Sequence, residues 1–167
     1  MSYEYSTTFW WDASFRPYVG GYLDESGLGG PMTGVEGGYS YKLTEKQYAG
    51  YSEWKGLEFL LFGEVNPGET EHWATGAHVR AKKYRTYGSI AAGTGFSVRN
   101  IDPDKTDPSY GFPLDVQFGT LGDSLIISAG VSIYLGADSR NYVAEIKGGF
   151  DLFKLMGIFD ALLHVGN

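Results

Sequence analysis

The chain has 167 residues, enough for one domain, and no cysteine, which excludes disulfides, cysteine-ligated zinc and a thiol nucleophile. Its net charge of −7 and its pI near 4.9 argue against a nucleic-acid partner, because phosphate-backbone binders carry a basic surplus or stripe. The absence of any apolar run of about 18 residues argues against a transmembrane helix, while 25 glycines and 13 tyrosines suit tight β-structure.

Eight segments alternate with period two, the period of a strand with two unlike faces. The first, about Trp10 to Leu23, sets Trp11, Ala13, Phe15, Val19 and Leu23 against Asp12, Ser14, Arg16 and Tyr18. The second, about Val35 to Leu43, sets Val35, Tyr39, Tyr41 and Leu43 against Glu36, Ser40 and Lys42. In the third, Trp54 to Val65, Leu57, Phe59, Leu61 and Val65 oppose Glu58 and Glu64, though Leu60 and Phe62 blur the polar side. The fourth, His72 to Tyr84, sets Trp73, Ala77, Val79 and Ala81 against His72, His78, Arg80 and Lys82. The fifth, Tyr87 to Arg99, sets Ile90, Ala92, Phe96 and Val98 against Ser89, Ser97 and Arg99. The sixth, Phe112 to Thr120, sets Leu114, Val116 and Phe118 against Asp115 and Gln117.

The seventh segment has the clearest alternation of all. Leu125, Ile127, Ala129, Val131, Ile133 and Leu135 share one face, with Ser128, Gly130, Ser132, Tyr134 and Gly136 on the other. The eighth, Tyr142 to Phe153, sets Tyr142, Ala144, Ile146, Phe150 and Leu152 against Glu145, Lys147 and Asp151. Turn residues separate the segments at Gly27–Pro31, Asn66–Gly68, Asp102–Pro108, Leu121–Asp123 and Ala137–Asn141. A longer connection is expected from Thr44 to Glu53. The period then changes. Leu155, Ile158, Phe159, Leu162 and Leu163 recur at helical spacing, which predicts a short amphipathic helix over about 154–164 closed by Gly166. The expected fold is all-β: a single domain over 1–167, an eight-stranded antiparallel up-and-down barrel over about 10–153, and the helix.

Period two defines two faces but not which of them meets water. A soluble barrel turns the apolar face inward, and a membrane barrel turns it to lipid. Three features favour the second. The polar faces carry both signs in similar number, so Glu58, Arg80, Arg99, Glu145 and Lys147 are expected to pair across a narrow lumen. The same faces are rich in Gly and Ser, which suits a crowded interior of eight strands. Trp10, Trp11, Tyr39, Tyr41, Trp54, Trp73, Tyr84, Tyr87 and Tyr142 lie near segment ends, as in an aromatic girdle. On this reading Leu125, Ile127, Val131 and Ile133 face lipid or a partner. Balanced charges also decorate ordinary soluble surfaces.

Over roughly Trp10 to Phe153 the chain resembles the small eight-stranded outer-membrane β-barrel proteins of Gram-negative bacteria, such as the transmembrane domain of outer-membrane protein A. Leu125–Leu135 and Tyr142–Phe153 carry the resemblance most clearly, the latter like a closing strand that ends in an aromatic residue. The likeness is architectural and transfers no functional residue. It implies a bacterial outer-membrane location for a mature chain whose signal has been removed. The start Met1-Ser-Tyr-Glu-Tyr5 lacks a leader pattern, and a cytoplasmic soluble chain is the alternative.

Catalytic signals are sparse. There are three histidines, His72, His78 and His164. His78 is either a base near Ser128 or Glu58 or a structural side chain. His72 and His78 lie about 20 Å apart along one strand face, too far to share a metal ion. The Asp102–Asp107 loop lacks the glycine and final glutamate of a calcium loop and reads as a solvated turn. Neither cofactor, metal nor catalytic residue is expected. The leading function is a non-enzymatic membrane barrel, a structural or interaction subunit of an envelope assembly that meets the bilayer and other subunits or itself. The helix residues Leu155, Ile158, Phe159, Leu162 and Leu163 form the interface with the barrel end, a partner or the membrane surface. The alternatives are a soluble barrel that binds a small apolar ligand or oligomerises, and a lipid-modifying barrel enzyme.

Overall fold

The alternating segments do form strands. A computed structural model describes residues 3–4, 11–24, 27, 29–48, 51–67, 69–85, 87–100, 108–135 and 140–165. Its strands are β1 (Tyr3–Glu4), β2 (Trp11–Asp24), β3 (Gly29–Tyr48), β4 (Tyr51–Asn66), β5 (Glu69–Arg85), β6 (Gly88–Asn100), β7 (Ser109–Thr120), β8 (Leu125–Leu135) and β9 (Arg140–Phe150). One helix, α1 (Leu152–Val165), follows. Each of β2 to β9 pairs antiparallel with its chain neighbours, and β2 pairs with β9, which closes an eight-stranded barrel. β1 adds two residues beside the end of β3.

Register fixes the shape. A path of paired residues runs from Asp12 through Ser40, Glu58, Arg80, Gly93, Asp115, Gly130 and Glu145 and returns to β2 at Tyr22, ten residues further on. For eight strands this stagger corresponds to a tilt of about 40°. One end of the barrel, the near end, carries Trp11, the β3–β4, β5–β6 and β7–β8 connections and α1. The far end carries the other connections.

Several boundaries differ from the periodicity. The connection expected over Thr44–Glu53 is strand on both sides of residues 49 and 50. A bulge between Lys42 and Thr44 shifts the phase there, so the alternation breaks while the pairing continues. Gly29, Gly30 and Pro31 belong to β3 rather than to a turn, because glycines without side chains show no alternation yet still pair with Leu23, Tyr22 and Gly21. The last strand ends at Phe150, not Phe153, and the helix begins two residues earlier than its apolar repeat indicates. Trp10, the loop 102–107, residues 137–139 of the last turn and Gly166 lie outside the described residues, as do the side chains of Trp11, His72 and Leu162.

The lumen is a packed interior. Leu60, Phe62 and Val143 are buried there among the polar groups. Trp54 and Tyr84, expected in an outer girdle, point inward and stack at 5.4 Å near the mouth of the near end. Lys42 and Lys82 lie over the Trp54 ring at 5.6 and 5.7 Å. The β7–β8 turn takes positive φ at Leu121, Gly122 and Asp123, and the Asp123 carboxylate is anchored by Ser89 Oγ and by Lys82 Nζ at 2.7 Å.

Luminal glycines leave room for long side chains opposite them. A Cβ at Gly93 would clash with the Val79 carbonyl oxygen and stand 2.7 Å from Cα and Cγ of Arg80, whereas one at Gly63, on the outer face, would meet nothing within 4 Å. Gly93→Val is therefore expected to cost about 1–3 kcal/mol by overpacking, and Gly63→Val to cost almost nothing. Urea unfolding midpoints of the two variants check this contrast.

Candidate functional site

Within the span of the barrel, charged side chains of β2, β3, β4, β5, β7 and β9 meet in the lumen, because each sits on the parity opposite to the apolar residues of its strand. Arg16 on β2 is the hub. Its Nη1 donates to Glu36 at 3.1 Å, its Nη2 to Glu58 at 2.5 Å and to Ser14 at 3.1 Å, and its Nε to Asp151 at 3.2 Å. Arg80 on β5 is a second hub. Its Nε donates to Asp115 at 2.6 Å, and its Nη1 and Nη2 grip Glu36 at 3.2 Å each. Gln117 accepts from Arg80 Nη1 at 2.9 Å. Lys82 completes the cluster between Glu58 and Asp123, at 2.7 Å from each. Glu58 and Asp151 are wholly buried, and Arg16 is 2% exposed.

A second cluster lies nearer the far end. Lys147 Nζ pairs with Glu64 at 3.0 Å and Glu145 at 3.2 Å, and the Tyr18 hydroxyl donates to Glu64 at 2.9 Å. The Lys147 ammonium also lies 5.0 Å from the Tyr18 ring centroid and 5.4 Å from that of Phe62. Arg99 stands apart. Its guanidinium stacks 4.6 Å from Tyr22 and 5.8 Å from Tyr134, and its buried Nη1 has no hydrogen-bond partner among the described residues. Cavities beside Arg99 and beside Lys147 hold about 10 Å³ each, close to the space of one water.

The five residues expected to share one network thus divide. Glu58 and Arg80 approach to 3.9 Å within the first cluster, Glu145 and Lys147 pair within the second, and Arg99 lies between aromatic rings, with its charge felt by Glu145 but no carboxylate within ion-pair distance among the described residues. The hub itself is Arg16, outside those five. Its parity marks it as luminal, but only the register shows that it reaches Glu36, Glu58 and Asp151 together.

Leu125, Ile127, Val131 and Ile133 all face outward, with Ile127 60% exposed. The Leu, Ile, Val and Phe side chains that a soluble barrel would gather inside are mostly outside, apart from Leu60, Phe62, Ile126 and Val143.

His78 is buried, 3.3 Å from Asp115 Oδ1 and tilted against the Phe62 ring at 4.7 Å. No serine among the described residues hydrogen-bonds to it, so a nucleophile–base pair is not assembled there. Nor do the described residues include a group of three His, Asp or Glu placed to hold a metal ion.

Asp151 joins the lumen to the helix. Its Oδ1 accepts from the backbone N–H of Phe153 at 3.1 Å and of Lys154 at 3.3 Å, as an N-cap does, while its Oδ2 accepts a hydrogen bond from Arg16 Nε. Lys154 adds an ion pair to Asp12. Beyond its first turn the helix covers little of its apolar surface on the barrel. Leu155 is half-buried, but Ile158, Phe159 and Leu163 are exposed, Leu163 by 74%.

No family model matches the chain, and no curated protein or solved structure is significantly similar to it.

Arg80→Leu alone leaves buried Asp115 with only His78 beside it and Glu36 with only Arg16, and is expected to cost about 3–5 kcal/mol. The Arg80→Leu/Asp115→Leu pair is expected to cost less than the sum of the single variants, with coupling of about 1–3 kcal/mol. A double-mutant cycle by chemical unfolding measures this, and additive losses would mean that the groups act independently. Asp151→Ala is expected to fray α1 and Asp151→Asn to preserve it, because asparagine also caps. Hydrogen exchange of residues 153–159 distinguishes the two.

Proposed function

We propose that the chain is a membrane-spanning β-barrel of a bacterial outer membrane, non-enzymatic and non-conducting, that serves an envelope assembly as a structural or docking subunit. The observation that carries this reading is the outer belt. On β4 the outward residues from Leu57 to Val65 are Leu57, Phe59, Leu61, Gly63 and Val65. On β5 they are Trp73, Thr75, Ala77, Val79 and Ala81, and on β7 Tyr110, Phe112, Leu114, Val116 and Phe118. The outward positions of β2, β3, β6, β8 and β9 at the same height are equally free of charge. Nine residues at about 3.4 Å rise and about 40° tilt cover roughly 23 Å, close to the apolar band of roughly 25 Å on membrane barrels. Trp73, Tyr110 and Tyr142 rim the far edge of the belt, and Tyr39, Phe118 and Phe150 stand toward the near edge.

An even strand number with both terminal strands at one end accords with bacterial single-chain barrels. Among the described residues side chains fill the lumen, with water-sized gaps beside Arg99 and Lys147. Function then falls to the surface, and α1 is its most distinctive part. It is fixed at its N-cap, nearly uncharged and mostly exposed, which suits docking against another subunit or a second copy of the barrel.

The test is purification with and without detergent, followed by reconstitution into vesicles loaded with a small dye. The expected result is aggregation without detergent, flotation with vesicles and no dye release. A monodisperse, detergent-free monomer would overturn the membrane reading, and rapid dye loss would overturn the closed lumen. In bilayers Val131→Arg is expected to cost about 2–4 kcal/mol of unfolding free energy at mid-membrane depth.

A further inference from the structure

The outer face is uncharged along the belt, but one sector at the near edge is basic. Lys55 of β4 and Lys83 of β5 are directly opposite each other in the register and both point outward. The next outward pair toward mid-barrel is Leu57 and Ala81, the last rank of the belt. The next pair away from it is Glu53 and Arg85. Glu53 is the single carboxylate among these four residues, and it is already engaged, with Arg85 Nε at 2.8 Å and Lys83 Nζ at 3.4 Å. The hydrogen bond from Arg85 and the nearby Lys83 hold its carboxyl below the usual carboxylate range. Lys55 has no carboxylate within ion-pair distance among the described residues.

Like charges directly across two strands repel, and with Lys46 of β3 opposite Glu53 and Glu4 of β1 opposite Lys46 the sector holds four cations against two acids, a surplus of positive charge. This surplus sits in a chain whose net charge is −7. The described outward residues at this edge of β2, β6, β7, β8 and β9, among them Ala13, Ile90, Thr120, Leu125 and Phe150, carry no charge.

Resting on the membrane reading above, we propose that Lys55, Lys83 and Arg85 form a binding site for the phosphate headgroup of an anionic membrane phospholipid. Its acyl chains lie along Leu57, Phe59, Val79 and Ala81. Two features single out a lipid as the occupant. Lys55 and Lys83 stand one register step beyond the apolar belt and Arg85 two, where headgroups lie, and the site opens sideways onto that belt rather than into the lumen. The apolar rank and the basic rank belong to the same two strands, so one molecule with an apolar tail and an anionic head meets both.

The test uses the full-length protein in phosphatidylcholine vesicles that carry trace spin-labelled phosphatidylglycerol or spin-labelled phosphatidylcholine. The protein-restricted fraction of each lipid is measured at low salt. Wild type is expected to prefer phosphatidylglycerol by about fivefold or more. Lys55→Gln/Lys83→Gln is expected to bring the preference close to unity, and Lys55→Gln alone to give an intermediate value. Lys154→Gln, which removes a cation from the helix instead, is expected to leave it unchanged. Heat-shifted mobility on gels confirms that each variant is folded. A wild type without preference, or a double variant that keeps it, overturns the lipid site while the membrane reading stands. A chain that stays in the aqueous phase overturns both.

Discussion

The guanidinium of Arg16 holds Glu36, Glu58 and Asp151 at once, and each of these carboxylates belongs to a different part of the chain. Wholly buried carboxylates are tolerable only when paired, so this contact constrains much else. It binds β2 to β3 and β4 across the lumen and to the segment that leaves β9. The same glutamates engage Arg80 and Lys82 of β5, and through Arg80 the network reaches Asp115 of β7. Barrel closure and charge pairing are therefore one event. The helix is tied to that event as well, since one oxygen of Asp151 receives Arg16 while the other caps α1.

With the charges committed to the inside, strand alternation sends the aliphatic and aromatic residues out. Leu61, Ile127 and Ile146 are each exposed by 60% or more, far from the pattern of a domain with an apolar interior. An exposed apolar surface of this extent marks a lipid or protein interface. The basic sector of Lys55, Lys83 and Arg85 at the belt's edge, and the uncovered helix on another side of the same end, belong to the boundary where such a surface would give way to water.

Much of this was legible in the sequence, because period two sorts inward from outward residues without knowledge of the register. Parity also decides cases that position near a strand end obscures. Trp54 shares the parity of Glu58, and Tyr84 that of Arg80, so both are luminal although they lie where girdle residues occur. Other features escape single-strand periodicity. The bulge at Leu43 breaks the phase of β3, and its first glycines carry no side chain to alternate, so the strand is longer at both ends than its pattern. The helix start was open to reading from Asp151, an N-cap residue before an apolar run, but Leu152 and Phe153 also extend the strand pattern. Which charges meet depends on a stagger of ten residues around eight strands. No local pattern reports that quantity, so parity marks Arg99 as luminal without showing that it lies between Tyr22 and Tyr134.

The central claim is that the Val131 face of β8 meets lipid and the Ser132 face does not. Single spin labels at each position from Leu125 to Leu135, in protein reconstituted into bilayers, test it most directly by collision with oxygen and with a water-soluble nickel reagent. The account predicts that oxygen accessibility alternates with period two, high at Ile127, Ala129, Val131 and Ile133, with nickel excluded from all four. High nickel accessibility at those positions, or oxygen accessibility greatest at Ser128 and Ser132, would contradict it.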